Sequence, residues 1–174
     1  MKTAFLFPGQ GAQQPNMLHE LPDESNVCET LTQAHEALQI DPLSLDTQDA
    51  LRSTSTTQLA LLICGVAFAR TLISRGVQPE AVAGLSIGAY SAAVSAEVLS
   101  LQDALQLVRL RGEAMEAHYT SGYGLAAVVG LDEETVQRLV AAIHSDEMPV
   151  FVGSINGPRQ IIVAGSYAGL DRLI

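Results

Sequence analysis

The residues best placed to do chemistry are Gly84-Leu85-Ser86-Ile87-Gly88, which fit the G-x-S-x-G pattern. In that pattern glycines flank a serine so that neighbouring chain can pass close to a sharp strand-to-helix turn. The geometry exposes the Ser86 hydroxyl at a helix N-terminus, where the partial positive charge and the Ile87 backbone N–H can stabilise the oxyanion formed when an acyl group is attacked. The competing reading of the same five residues is a glycine-rich packing turn with an idle serine. Gln10 is the second candidate. A glutamine bracketed by Gly9 and Gly11 can present amide and backbone donors beside a neighbouring strand's nucleophile, although alone it reads as a simple turn. The third is Arg111, in Val108-Arg109-Leu110-Arg111-Gly112. Two arginines two positions apart on a helix point to different sides, so one can face inward. An inward guanidinium without a protein partner calls for a ligand carboxylate. A solvated or salt-bridged arginine is the commoner alternative.

These residues need a scaffold. Ala4 to Phe7 is a short apolar run ending at Pro8, which predicts a buried strand opening onto the Gly9–Gln13 loop. From Asn16 to Gln39, Leu and Ala recur at helical intervals around Pro22, predicting two short helices. Thr56 to Arg75 is apolar almost all round and ends at Gly76, predicting a buried helix. Ala81 to Leu85 reads as a strand, the alanine-rich stretch to Val98 as the helix after the elbow, and Ser100 with Asp103 as a capping box before a helix from Leu101 to about His118. Strands alternating with helices imply a parallel sheet. After Ser121-Gly122-Tyr123-Gly124 the pattern becomes strand (Leu125 to Leu131), helix (Asp132 to His144), two strands (Val150 to Ile155, Gln160 to Ala164) and a helix from Tyr167, five-sixths of a ferredoxin-like unit without its closing strand.

Composition sets the outer limits. The chain has 174 residues, 48% hydrophobic and 16% charged, enough apolar material for a sizeable core. Nine basic against nineteen acidic side chains leave a net charge of −10, which argues against nucleic acid or an anionic membrane as partner. Lys2 is the only lysine, so anion recognition falls to arginine. Cys28 and Cys64 lack metal-ligand spacing and read as buried free thiols, with no metal site and no disulfide. The most apolar stretch, Leu59 to Ala69, is about half of the ~20 residues needed to span a bilayer, and Met1 to Pro8 is too short for a signal peptide. A cytoplasmic protein is expected.

Taken together, Phe5-Leu6-Phe7-Pro8-Gly9-Gln10-Gly11-Ala12-Gln13, the elbow at Ser86 and the Arg111-Gly112 helix resemble the malonyl-CoA:acyl-carrier-protein transacylase family. The resemblance runs from Met1 to Ile174 and includes Asn156-Gly157-Pro158 and Gln160-Ile161-Ile162-Val163-Ala164-Gly165. It implies an α/β-hydrolase-like parallel-sheet large subdomain, with residues 1–122 as its N-terminal part, and an inserted, incomplete ferredoxin-like small subdomain over residues 123–174. It also implies that Ser86 is the nucleophile, that the backbone N–H groups of Gln10 and Ile87 form the oxyanion hole, and that Arg111 clamps the malonyl carboxylate. Gln58, in Thr57-Gln58-Leu59-Ala60, falls where the family has a pocket glutamine, with Leu59 in place of the usual next proline. Malonyl-CoA and an acyl carrier protein bearing a phosphopantetheine-type thiol are the implied partners, and no bound cofactor is expected.

Three departures matter. Fatty-acid-synthesis members usually read Gly-His-Ser-x-Gly-Glu, whereas Leu85 and Ala89 stand here. Those two residues make the chain look more like the epsilon (acyltransferase) subunit of biotin-independent malonate decarboxylase, with other subunits of that complex as further partners. The family's general base is a histidine after the small subdomain, which the chain does not reach, and His19, His35, His118 and His144 read as exposed or helix-terminal. The expectation is therefore a truncated chain, poorly active by itself. The alternatives are a malonyl transacylase of fatty-acid or polyketide synthesis, a serine thioesterase, and a non-catalytic fragment that binds acyl-CoA or carrier.

Overall fold

The structure is a computed structural model that describes residues 2–118 and 121–173. The chain divides into two compact units, Met1–His118 and Tyr119–Ile174, the division falling a few residues before the Gly122 boundary read from sequence.

In the first unit, strand β1 (Ala4–Phe7) lies parallel to β2 (Ala81–Gly84), with Phe7 opposite Gly84. Period-two alternation buries Phe5 and Phe7 and leaves Leu6 exposed. Between the strands run α1 (Ser25–Leu38) and α2 (Thr54–Ser74), joined by two 3₁₀ turns, Pro42–Asp46 and Ala50–Arg52. Helix α1 buries one stripe, Val27, Thr30, Ala34 and Leu38. Helix α2 starts where the Ser53 hydroxyl accepts the Thr56 N–H at 3.1 Å, and it packs against α1, α3 (Gly88–Ser95) and α4 (Leu101–His118). By length and composition α2 could cross a membrane, but 61% of its most apolar window is buried inside the structure. The core joins Leu62, Ile63 and Val66 of α2 to Leu105 and Val108 of α4 and to Ile87 at the elbow, each such burial worth about 1.5–3 kcal/mol.

Helix α4 begins as the capping residues require: the Asp103 N–H donates to Ser100 Oγ at 3.0 Å, and that hydroxyl donates to Asp103 Oδ2 at 2.6 Å. Three expectations are corrected. Instead of two short helices between Asn16 and Gln39 there is one, α1. Residues 15–20 form turns around the fully buried Asp46 carboxylate, which accepts the Leu18 N–H at 2.7 Å and the His19 N–H at 3.3 Å and faces His19 Nδ1 at 2.9 Å. The carboxylate captures amides that a helix would otherwise use. Helix α3 stops at Ser95 rather than Val98, because Glu97 takes φ 58° and the Val98 N–H turns back to the Ala93 carbonyl at 3.0 Å. Cys28 is exposed, not buried, since it lies off the apolar stripe of α1.

The second unit runs β3 (Tyr123–Val129), α5 (Glu133–Ile143), β4 (Val150–Gly157), β5 (Gln160–Ser166) and α6 (Tyr167–Leu173). The sheet is antiparallel in the order β3–β5–β4, and Val136, Val140, Val150, Ile161, Val163 and Leu170 form its core. Asp132 caps α5 through the Thr135 N–H at 2.9 Å. A parallel pair with helices and a separate antiparallel sheet with helices make the chain a mixed α/β protein.

Candidate active site

Parallel pairing fixes where the site must be. Because β1 and β2 run in register to Phe7 and Gly84, the Pro8–Gln10 loop and the Ser86 elbow leave the same end of the sheet side by side. The ladder continues one step beyond the strands, with the Leu85 N–H donating to the Phe7 carbonyl at 3.0 Å.

The elbow is tight enough to exclude side chains at both glycines. A Cβ on Gly84 would lie 2.1 Å from the Gly88 carbonyl carbon, and one on Gly88 would lie 2.3 Å from the Phe7 oxygen. Ser86 itself takes φ 51°, in the left-handed region that costs a non-glycine residue about 1–3 kcal/mol. The strain is held from below by Ile87, which is fully buried beside Leu105 and Val108. That leaves Ser86 exposed at the foot of α3.

Ser86, Arg111, Gln58 and Gln10 form one continuous hydrogen-bonded chain. Arg111 donates through Nη2 to Ser86 Oγ at 3.0 Å and through Nη1 to Gln58 Oε1. The Gln58 amide nitrogen then donates to Gln10 Oε1 at 3.3 Å and to Met115 Sδ at 3.4 Å. Gln58 is 1% exposed, so its amide orientation is set by these partners and in turn aims the guanidinium. Of the two neighbouring arginines, Arg109 turns to Gln106 and Arg111 to the elbow, as a two-residue spacing on a helix requires. Among the described residues Arg111 makes no ion pair, and neither the Gln10 nor the Ile87 backbone N–H is given to a protein acceptor. A half-buried cation with only neutral partners, next to a hydroxyl, can receive a carboxylate.

Among the described residues no histidine base is bonded to Ser86. His19 pairs with Asp46, His35 Nδ1 lies 2.9 Å from the Ile40 carbonyl oxygen, His118 Nδ1 lies 2.8 Å from the Ala114 oxygen, and His144 is tied to Val150. None of the four is bonded to Ser86 among the described residues. Of the two thiols in this unit, Cys28 is exposed on α1, while burial, with the charge of Asp46 added, pushes the Cys64 thiol up to about 11. Among the described residues no group of three His, Cys, Asp or Glu side chains could hold a metal ion. Two clefts of about 580 and 500 Å³ lie elsewhere in the unit, and neither is lined by Ser86 or Arg111.

Sequence reasoning missed Met115 and Glu116. Glu116 accepts from Ser53 Oγ at 2.8 Å and from the Ser55 N–H at 3.0 Å. The available signal was Gly112, since a glycine inside a helix costs roughly 1 kcal/mol against alanine and marks a close approach. A Cβ there would sit 2.4 Å from Ser55 Cα.

Fold and site together define an α/β protein that presents a strained serine to an arginine. The chain belongs to the acyl transferase domain family, whose family model matches residues 4–174. It is 39% identical over 178 residues to a malonyl CoA-acyl carrier protein transacylase of Staphylococcus aureus (strain MRSA252), covering 99% of this chain and 57% of that protein. The solved acyl-carrier-protein S-malonyltransferase of Burkholderia pseudomallei 1710b is similar at 39% identity and TM-score 0.86, over 99% of this chain and 58% of that one. A type II PKS acyl-carrier protein in complex with its malonyl-transacylase is similar at 33% identity and TM-score 0.87, over 99% and 58% of the two chains. The chain thus spans somewhat over half the length of the relatives it matches.

Proposed function

We propose that this chain carries the nucleophile and the acid-recognising residues of a malonyltransferase, which moves malonyl from malonyl-CoA to the thiol of an acyl carrier protein. The observation that carries this reading is Arg111 Nη2 at 3.0 Å from Ser86 Oγ. A carboxylate held by that guanidinium is attached, through one methylene, to the thioester carbon that Ser86 attacks. Ser86 Oγ forms a bond to this carbon, the resulting oxyanion is met by the Gln10 and Ile87 N–H groups, and the thioester C–S bond breaks as the CoA thiolate leaves. The Ser86 proton goes to a base and from it to the departing sulfur. The family pattern assigns that base to a histidine, and none of the four histidines here is hydrogen-bonded to Ser86 among the described residues. Reversal with the carrier thiol returns Ser86. The solved complex of an acyl-carrier protein with a similar malonyl-transacylase supports a carrier protein as acceptor.

Within this activity, Leu85 and Ala89, where histidine and glutamate are usual, favour a role in biotin-independent malonate decarboxylase with its other subunits as partners, in the cytoplasm. The competing reading, a protein that binds acyl-CoA or carrier without turnover, draws on the lack of a histidine hydrogen-bonded to Ser86 among the described residues. Incubation of the protein with labelled malonyl-CoA, with and without carrier, tests the proposal. Label on the carrier thiol that depends on Ser86 is expected. Release of free malonate at the transfer rate without carrier would make the protein a thioesterase, and no label on protein or carrier would leave it a binding fragment.

A further inference from the structure

We propose that Glu116 is a positioning residue for the acyl pocket: by clamping the start of α2 to α4 it sets where Gln58 and Arg111 meet. The inference rests on the malonyl-transfer reading. Three observations lie along one seam between the helices. The Glu116 carboxylate takes Ser53 Oγ at 2.8 Å and the Ser55 N–H at 3.0 Å. One turn back on α4, Gly112 lets the helices close until a Cβ would be 2.9 Å from Ser55 Oγ and 2.4 Å from Ser55 Cα. The next step along the seam is the Arg111–Gln58–Met115 cluster.

The clamp has a physical reason to be strong. A carboxylate on the N-terminus of a 21-residue helix meets the positive end of its dipole and satisfies N–H groups that have no partner within the helix. Burial pushes the Glu116 carboxyl up, but hydrogen bonds from Ser53 Oγ and the Ser55 and Thr54 N–H groups outweigh it and hold the group below its ordinary value. Gln58 lies one turn beyond Ser55 on the same helix and is 1% exposed, so it cannot compensate by rotating into solvent. Displacing the start of α2 therefore carries Gln58 Oε1 away from Arg111 and leaves the guanidinium unaimed. Only a substrate with a free carboxylate feels that loss.

The test compares kcat/KM for malonyl-CoA and acetyl-CoA in Glu116→Ala, Glu116→Gln and Ser53→Ala, together with mass-mapped phenylglyoxal modification of Arg111. Glu116→Ala is expected to lower the malonyl-to-acetyl ratio about tenfold, mainly through KM for malonyl-CoA, the size of one charge-assisted hydrogen bond lost. Gln, which can still accept the Ser55 N–H, should restore the ratio to within about threefold, and Arg111 should be modified faster in the alanine variant. If Glu116→Ala does not fold, Ser53→Ala carries the test, with a smaller fall in the ratio expected. Equal losses for both substrates, or an unchanged ratio and an unchanged Arg111 modification rate, would overturn the proposal. Wild-type protein with no preference for malonyl would instead sink the malonyl reading, and the Arg111 modification rate would still decide for or against the clamp.

Discussion

Replacing Arg111 separates recognition of the acid from the acyl chemistry, and the structure sets the size of the effect. The guanidinium bridges two acceptors at once, Gln58 Oε1 and Ser86 Oγ, and a substrate carboxylate would take one edge of that fork. A charge-assisted hydrogen bond contributes a net 1.5–3 kcal/mol, so Arg111→Ala should cost malonyl-CoA roughly ten- to 150-fold in kcat/KM. Acetyl-CoA has no carboxylate to lose and should stay near its wild-type value. The half-buried setting of Arg111 favours the lower end of that range. Arg111→Lys keeps the charge but not the fork, because one ammonium on a flexible stem cannot span both partners, and should fall between wild type and alanine. Since Gln58 is left with a buried, undonated oxygen, some stability is lost too, and the ratio of the two substrates is the safe readout. The assay is carrier loading measured with each thioester over a range of concentrations. A malonyl-to-acetyl ratio that survives Arg111→Ala, or one preserved because both substrates fall together, would refute the assignment of Arg111 to the carboxylate.

Three further outcomes are expected. Gly88→Ala drives a Cβ to within 2.3 Å of the Phe7 oxygen and 2.6 Å of the Pro8 oxygen, both backbone atoms that cannot swing aside, and should destabilise by about 1–3 kcal/mol or more in denaturant titrations; a variant as stable as its parent would show that the elbow has room for a methyl group. Exposed Cys28 should react quickly with a thiol reagent and Cys64 slowly. Because Cys64 is raised from 9.0 to about 11, the folded state keeps a proton there that the unfolded state releases first. Its contribution is complete below about pH 9 and is lost as pH rises to about 11, a fall of roughly 2–3 kcal/mol that should be missing from Cys64→Ala.

Features governed by neighbours in the chain were the readable ones. The elbow declares itself because glycines four apart, with a strand before and a helix after, serve a contact that spans only Gly84 to Gly88. The start of α4 follows from Ser100 and Asp103 in the same way. The turns at residues 15–20 are a different case. They depend on Asp46, whose bonds to Leu18 and His19 arrive from far along the chain, and local periodicity of Leu and Ala carries no trace of them. The same holds for the site. Ser86, Gln10 and Arg111 could be singled out by type and setting, whereas Gln58 came only from resemblance, and Met115 and Glu116 act across a seam between helices about sixty residues apart in sequence. Gly112 was the one local mark of that seam.

Acyl transfer through this site requires Ser86 to become acylated. Mixing the protein with malonyl-CoA, quenching in acid and mapping the peptides by mass spectrometry should find a malonyl ester on the peptide carrying Ser86, absent from Ser86→Ala and weakened in Arg111→Ala. An ester on another residue, one that persists in Ser86→Ala, or carrier loaded with no ester formed would contradict it.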